Sequence, residues 1–216
     1  MDTKNVFVSW SGGKDSYLAL LKGRDEGLNI KRLLTFMGVN GYSRSHGVKK
    51  ELLEKQADCM GVELELEEVT WPGYEEGFIK VSERLKEKGI GGGVFGDINL
   101  EGHRQWVEDM CRRCGLVPYL PLWGMTEEEV LLELLHRGVK LLIVSLRTDL
   151  IEENWLGKRV DMSFYNMCLQ KGLSPCGENG EYHTLVVNGP LFKHPLEYST
   201  AGIMQEKERA FLQIDV

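Results

Sequence analysis

The sequence predicts an α/β protein in which a parallel sheet of five strands, with helices on both faces, precedes a smaller α+β lobe. Short apolar runs alternate with amphipathic segments as far as residue 120, which is the pattern of a parallel sheet with crossover helices. A double-glycine loop joins the first apolar run to the first amphipathic segment. A stretch that contains Pro118, Pro121, Trp123 and Gly124 then ends the alternation. We therefore expect two domains, residues 1–125 and residues 126–216.

The first domain has five apolar runs that alternate with amphipathic segments. The runs predict strands at Val6–Val8, Ile30–Met37, Leu64–Val69, Val94–Phe95 and Leu116–Leu120. The amphipathic segments predict helices through Tyr17–Leu21 and at Val48–Cys59, Glu75–Lys88 and Glu101–Cys114. This arrangement is Rossmann-like. Ligands of such sheets bind beyond the carboxyl ends of the strands, so Ser11–Ser16, Phe36–Met37 and Gly96–Asp97 are expected to face one crevice.

The second domain shows a mixed pattern of helices and strands. Thr126 before three glutamates predicts a capped helix that runs to His136, whose imidazole is expected to act as a cation at the helix C-terminus. Leu141–Val144 and Leu185–Val187 predict strands, and a helix is expected from Phe164 to Leu169. The C-terminal tail carries little signal.

The chain is acidic, with a formal net charge of −7 and a pI near 5.4. This balance argues against a broad basic surface for nucleic acid, although a local basic groove at Arg104, Arg112 and Arg113 stays an alternative. No apolar run has the length of a membrane span, and the N-terminal residues lack the apolar stretch of a signal peptide. We therefore expect a cytoplasmic protein with no membrane partner.

Five cysteines are spread along the chain, an odd number that suits reduced thiols better than a disulfide framework. Cys111 and Cys114 form a single Cys-x-x-Cys pair. One such pair offers too few ligands for a structural zinc site, and both sulfurs lie on a predicted helix. We expect core or surface thiols, with redox or metal chemistry as the alternative.

The loop from Ser11 to Ser16, which reads Ser-Gly-Gly-Lys-Asp-Ser, has the features of a phosphate-binding turn. Its glycines let main-chain N–H groups point to one place, and the helix that follows adds the positive end of its dipole. Ser11, Lys14 and Ser16 add side-chain donors. The spacing is neither that of a Walker A loop nor that of a Gly-x-Gly-x-x-Gly turn. The alternative is a structural β–α turn with a solvated lysine.

A second polar stretch, Cys176–Thr184, combines glycines, carboxylates, an aromatic ring and a histidine before a strand. Glu178 and Glu181 are of the type that holds Mg²⁺ or positions an amine, and His183 titrates near neutrality. The alternative is a Gly-rich hairpin with solvated carboxylates.

Four segments together resemble the diphthine ammonia ligase (diphthamide synthase) family, namely Ser11–Ser16, Pro121–Gly124, Trp155–Gly157 and Cys176–Thr184. The resemblance covers nearly the whole chain. It implies the fold of the ATP pyrophosphatases, which are adenine nucleotide alpha hydrolase-like proteins, with ATP and Mg²⁺ as cofactors. The implied reaction adenylates a carboxylate of diphthine on elongation factor 2, releases pyrophosphate, and then amidates the carboxylate with ammonium while AMP is released.

The resemblance also implies roles for individual residues. It assigns pyrophosphate binding to Ser11, Gly12, Gly13, Lys14, Asp15 and Ser16, and matches His46 to a family histidine. The strand ends add Phe36, Met37 and Gly96 to the predicted nucleotide site, and His46 and His103 are expected on loops at the same edge. The predicted acceptor side consists of Asp97, Arg104, Trp155, Gly157 and Asp161.

The catalytic residues are predicted to be Lys14, Asp15, Glu178, Glu181 and His183. Lys14 would neutralise charge on the departing pyrophosphate. Asp15 would help to hold Mg²⁺ on the phosphates, with a role as a helix cap as the alternative. Glu178, Glu181 or His183 would orient or deprotonate the incoming ammonium, since only neutral ammonia is nucleophilic.

The chain departs from the family pattern on the expected acceptor surface, at Asp97, Trp106, Asn179 and His183. A paralogue that amidates another carboxylate is therefore an alternative, as is a non-enzymatic ATP or AMP sensor. A tRNA-modifying enzyme with Cys111 as a sulfur carrier ranks third, because the acidic charge and the single Cys-x-x-Cys pair disfavour it. The sequence leaves the oligomeric state open, a homo-oligomer included.

Overall fold

A computed structural model describes residues 2–38, 41, 48–70 and 72–216 of the chain. These residues form two compact units. The first unit comprises Met1–Ser11 and Asp15–Met125, and the second comprises Gly12–Lys14 and Thr126–Val216. The middle of the glycine loop, Gly12–Lys14, thus belongs by its contacts to the second unit, whereas Ser11, Asp15 and Ser16 belong to the first.

The first unit is built on a parallel sheet of five strands. The strands are β1 (Asn5–Ser9), β2 (Asn29–Met37), β3 (Glu63–Glu68), β4 (Gly92–Val94) and β5 (Val117–Tyr119). Their order in the sheet is β3-β2-β1-β4-β5, and every neighbouring pair is parallel. The predicted Rossmann-like sheet is therefore confirmed. The strand order changes direction at β1, so the switch point lies between β1 and β4.

Four helices connect these strands, α1 (Lys14–Asp25), α2 (Lys50–Met60), α3 (Tyr74–Glu87) and α4 (Glu101–Cys114). Because crossovers between parallel strands are right-handed, the reversal of strand order puts α1 and α2 on one face of the sheet and α3 and α4 on the other. Phe7 of β1 faces the second layer and packs edge-on against Phe78 of α3, with ring centroids 6.5 Å apart. Both rings are buried and lie in one apolar cluster.

The Cys111–Cys114 pair lies in the last turn of α4. Both side chains are buried, and burial raises the pKa of the Cys111 thiol to about 12. A thiol that stays protonated is a poor nucleophile and a poor metal ligand. The interpretation as core thiols is therefore confirmed.

The second unit contains an antiparallel sheet and two helices. Its strands are β6 (Lys140–Arg147), β7 (Tyr182–Asn188), β8 (Ser199–Glu206) and β9 (Arg209–Asp215), in the order β7-β6-β9-β8. The helices are α5 (Glu127–His136) and α6 (Met162–Gln170), and Glu153–Trp155 forms a short 3-10 turn. The predicted α+β lobe is confirmed.

The start of α5 has the predicted cap. The Thr126 hydroxyl accepts from the Glu129 main-chain N–H, and the Glu129 carboxylate accepts from the Thr126 main-chain N–H, which makes a full capping box. His136 is the last residue of α5, as predicted.

The C-terminal tail holds the β8–β9 hairpin, which the sequence did not indicate. All eight residues of β8 are exposed, so neither face of the strand needs apolar side chains and the alternation typical of a strand is missing. Across the described ranges, no helix has the length and apolar character needed to cross a membrane.

Candidate functional site

The glycine loop follows β1, and α1 begins within it. The Ser11 hydroxyl lies 3.1 Å from the Ser16 hydroxyl, and the Ser11 main-chain N–H donates to Ser16 Oγ at 3.4 Å. Gly12 has a φ of +80°, which glycine adopts without strain. The loop therefore turns sharply and places two hydroxyls at the first turn of α1, where phosphates bind to helix N-termini.

Gly96 follows β4 and lies directly against this turn. A Cβ atom on Gly96 would come within 3.0 Å of the Asp15 carbonyl carbon and 3.1 Å of the Ser16 nitrogen. Only glycine allows the main chain after β4 to come this close to the start of α1. The structure therefore brings Gly96 together with Asp15 and Ser16 at the switch point, as the sequence predicted.

Phe36 and Met37 are the last two residues of β2. The Phe36 side chain is buried in the apolar cluster, with its ring 4.6 Å from that of Tyr74 and 6.1 Å from that of Phe78. The predicted nucleotide contact of Phe36 stays a prediction. Met37 is buried at the last position of β2. The predicted nucleotide contact of His46 falls outside the described residues.

Asp97 and His103 form a pair near the end of β4. The Asp97 carboxylate lies 3.3 Å from His103 Nδ1, and burial raises the pKa of Asp97 although the His103 contact opposes that shift. His103 lies in the first turn of α4 and not on a loop, which corrects the sequence-based expectation. A carboxylate with an imidazole partner is able to bind a cation or move a proton.

Arg104 and Trp106 of α4 have different surroundings. The Arg104 guanidinium lies 5.0 Å from the centre of the Trp123 ring and donates to Glu108 at 2.8 Å. Trp106 packs against Tyr74 and Phe78, with ring centroids 5.5 and 5.6 Å away. The departure from the family pattern at Trp106 therefore serves packing of the first unit.

In the second unit, the glycine loop is hydrogen-bonded to β7. The Lys14 main-chain N–H donates to Thr184 Oγ1 at 3.2 Å, and the Val186 N–H donates to the Gly12 carbonyl at 2.9 Å. Thr184 closes the predicted polar stretch, but nothing in the sequence showed that its hydroxyl binds the loop. These two bonds fix the orientation of the phosphate-binding turn.

The Lys14 side chain is buried and reaches the second polar stretch. Its Nζ lies 3.5 Å from Oε1 of Glu178, whose side chain is 23% exposed. A buried ammonium needs a counter-charge, and Glu178 supplies one. The sequence predicted both residues as catalytic, and the structure places them in contact.

The Glu181 carboxylate is buried and holds the polar stretch in shape. It accepts hydrogen bonds from the main-chain N–H of Ser174 at 3.1 Å and of Asn179 at 3.0 Å, and from the Asn179 side-chain amide at 3.1 Å. Burial of the nearby Cys168 thiol raises its pKa to about 11, and the negative charge of Glu181 adds to the rise. Three donors on one carboxylate indicate a positioning role for Glu181, and they explain the departure at Asn179.

Ser174 is a site residue that the sequence did not indicate. Its hydroxyl accepts from the main-chain N–H groups of Cys176 at 3.2 Å and Glu178 at 3.0 Å, and it donates to the Glu127 carboxylate. His183, by contrast, lies in β7 opposite Ser145 and not in the polar loop.

The remaining predicted acceptor residues have structural contacts in the second unit. The Trp155 ring packs on Phe164 at 5.0 Å. Gly157 has a φ of +75°, and Asp161 caps α6 by accepting from the Phe164 N–H at 2.9 Å. Their predicted contact with an acceptor stays a prediction.

The donor chemistry of the loop fits ATP and Mg²⁺. Main-chain N–H groups, two hydroxyls and a buried ammonium suit the oxygens of a polyphosphate, and the carboxylate of Asp15 is of the type that Mg²⁺ prefers.

Fold and loop together define an α/β protein with a Rossmann-like parallel sheet of five strands and a glycine loop at the switch point of that sheet. A family model described as the diphthamide synthase N-terminal domain matches residues 4–118, and the diphthamide synthase C-terminal domain matches residues 126–216. The chain belongs to the diphthamide synthase family.

Curated relatives bear the name diphthine–ammonia ligase. The mouse protein is 33% identical over 135 residues, which are 60% of this chain and 51% of that protein. The human protein is 30% identical over 138 residues, which are 62% of this chain and 51% of that protein. The chain thus spans about half the length of these relatives.

Two further comparisons cover different shares of the chain. The Schizosaccharomyces pombe diphthine–ammonia ligase is 36% identical over 93 residues, which are 42% of this chain and 15% of that protein. The solved structure of a predicted subunit of tRNA methyltransferase from Methanocaldococcus jannaschii has a TM-score of 0.49 and 17% identity, covering 86% of this chain and 97% of that chain.

Proposed function

We propose that the chain is an ATP-dependent amide ligase that adenylates a carboxylate and then amidates it with ammonium. The observation that carries this proposal is the contact between Lys14 of the phosphate-type loop and Glu178 of the second polar stretch. It joins a group suited to polyphosphate with a carboxylate suited to ammonium. The names of the relatives, which are diphthine–ammonia ligases, support the same reaction.

The first proposed step is adenylation. An oxygen of the acceptor carboxylate attacks the α-phosphorus of ATP, the α–β bond breaks, and pyrophosphate leaves with the electron pair. Main-chain N–H groups of the loop, the hydroxyls of Ser11 and Ser16, and the ammonium of Lys14 bind the phosphates and stabilise the developing charge. Mg²⁺ held through Asp15 would neutralise further negative charge on the phosphates.

The second proposed step is aminolysis. Ammonia attacks the carbonyl carbon of the acyl adenylate, and AMP leaves with one oxygen of the original carboxylate. Ammonium first has to lose a proton, and Glu178 is the suited acceptor because its side chain is partly exposed while Glu181 is fully used by three donors. Phosphate oxygens that bind Lys14 compete with Glu178, which frees this carboxylate for ammonium.

The proposed acceptor is diphthine, which the names of the relatives contain, and the family resemblance of the sequence implies that this diphthine is carried by elongation factor 2. Two of the four departures have structural explanations, since Trp106 packs in the aromatic cluster and Asn179 braces Glu181. The Asp97–His103 pair favours a second candidate, a paralogue that amidates a different carboxylate, because it adds a carboxyl group and an imidazole at the end of β4.

Release of AMP and pyrophosphate tests the proposal. Purified protein with ATP, Mg²⁺ and ammonium should release both products only when diphthine-bearing elongation factor 2 is added. Release that requires another carboxylate would favour the paralogue. Binding of ATP without any acceptor-dependent turnover would contradict a ligase and favour a nucleotide sensor.

A further inference from the structure

We propose that Arg209 is a positioning residue that orients the loop carrying Glu178, an inference that rests on the proposed function. Arg209 is the first residue of β9, in the C-terminal tail whose sequence pattern predicts no structure. Its Nη2 donates to the Gly180 carbonyl at 2.5 Å, and its Nη1 donates to the Ser145 hydroxyl at 3.2 Å. One guanidinium thus ties the polar loop to both β6 and β9.

Both hydrogen bonds of the Arg209 guanidinium go to neutral oxygen atoms. Burial lowers the pKa of this guanidinium, the charge of Arg147 lowers it further, and the charge of the Asp149 carboxylate opposes the shift. Desolvating a cation against two neutral acceptors costs free energy that a methionine of similar length would avoid. The contribution of Arg209 therefore comes from its two directed donors.

Arg147 lies directly opposite Arg209 in the β6–β9 pair and provides a matched comparison. Its side chain donates to the Asp149 carboxylate through Nε at 3.2 Å and Nη2 at 2.6 Å. Only its main chain contacts the polar loop, because the Arg147 N–H donates to the Glu181 carbonyl at 2.8 Å. Replacing the Arg147 side chain leaves that bond in place.

The loop has fixed points on both sides of Gly180. The Glu181 carboxylate is held by three donors, and Glu178, two residues before Gly180, contacts Lys14 at 3.5 Å. Gly180 has a φ of +77° and adopts many conformations easily. Arg209 fixes its carbonyl, so loss of the guanidinium lets this peptide rotate and releases the orientation of Glu178.

Hydrogen exchange tests the positioning directly, without any assumption about the reaction. In Arg209→Met, we expect the amides of Asn179 and Gly180 to exchange at least about tenfold faster, because local opening becomes easier. The amides of β6 and β7 and the same loop in Arg147→Met should exchange as in the wild type. Unchanged exchange at Asn179 and Gly180 in Arg209→Met would overturn the proposal.

Kinetics test the consequence for the proposed reaction. In Arg209→Met, kcat for amide formation should fall about tenfold, because the variant loses roughly one charge-assisted hydrogen bond. KM for ATP should stay unchanged. Arg209→Lys should recover part of kcat, and millimolar guanidinium should raise kcat of Arg209→Ala where equal sodium chloride does not. A variant that keeps the wild-type kcat would contradict the proposal. If the wild type shows no turnover, the proposed function fails, and the exchange data alone decide the role of Arg209.

Discussion

The Nζ of Lys14 lies 3.5 Å from Oε1 of Glu178 in the second unit, although the two residues come from opposite ends of the chain. Hydrogen bonds from the Lys14 main-chain N–H to the Thr184 hydroxyl and from the Val186 N–H to the Gly12 carbonyl hold the loop beside the strand that follows Glu178. The contact therefore connects the two polar motifs within one folded body. It is the feature on which the proposed chemistry depends.

Replacing Glu178 by glutamine should lower stability and amide formation together. The change removes the counter-charge of the buried Lys14, so the free energy of unfolding in urea should fall by about 1–3 kcal/mol. Glu206→Gln is the matched control, because Glu206 is exposed in β8. Equal stability and equal amide formation in the two variants would show that the Lys14–Glu178 contact contributes neither to the free energy of unfolding nor to the reaction.

Replacing Glu181 by glutamine should affect stability through the loop. Three N–H donors converge on this carboxylate, and a glutamine would turn an NH2 group toward one of them. We expect the free energy of unfolding to fall by about 1–3 kcal/mol, with faster amide exchange at Asn179. A variant as stable as Glu206→Gln would contradict the positioning role of Glu181.

Replacing Gly96 by alanine should disturb the start of α1. The added methyl group would meet main-chain atoms of Asp15 and Ser16 at 3.0–3.1 Å, so the free energy of unfolding should fall by about 1–3 kcal/mol. Affinity for ATP, measured by titration calorimetry, should fall as well. Gly102→Ala is the control, because a Cβ on Gly102 meets nothing within 4 Å and alanine favours a helix. If Gly96→Ala binds ATP as tightly as the wild type, Gly96 is not part of the nucleotide-binding site.

Burial of Cys111 should make the protein less stable in alkali. The folded state keeps this thiol protonated up to a pKa of about 12, whereas the unfolded state loses the proton near its ordinary value of 9.0. The stabilisation is therefore complete below that ordinary value and is lost as the pH rises toward 12. When the free energy of unfolding is measured in urea at pH values between these limits, it should fall less steeply with rising pH for Cys111→Ala than for the wild type. Identical pH slopes would contradict a raised pKa.

Much of the fold was predictable from the sequence because the first unit has strong local patterns. Buried parallel strands need nearly continuous apolar residues, as in Val6–Val8, and their helices need apolar faces. Helix α4 was predicted at its observed limits, Glu101–Cys114. The β8–β9 hairpin was missed because Ser199–Glu206 is exposed on both faces, which removes the alternation that would identify the strand.

The candidate site was predictable in its motifs and not in its contacts. The glycine loop and the stretch Cys176–Thr184 were recognisable from residue types. The Glu181 carboxylate is held by hydrogen bonds from Ser174 and Asn179. The hydrogen bond from Arg209 to the Gly180 carbonyl joins the C-terminal tail to the polar loop. Such contacts arise from chain topology, and residue type alone does not encode them.

Transfer of an oxygen label tests the central claim most directly. Acceptor protein carrying ¹⁸O in the diphthine carboxylate would be incubated with this chain, ATP, Mg²⁺ and ammonium, and the nucleotide product examined by mass spectrometry. Adenylation followed by aminolysis predicts AMP that contains one ¹⁸O atom, together with unlabelled pyrophosphate. Unlabelled AMP, or ADP in place of AMP, would contradict activation of the carboxylate as an acyl adenylate.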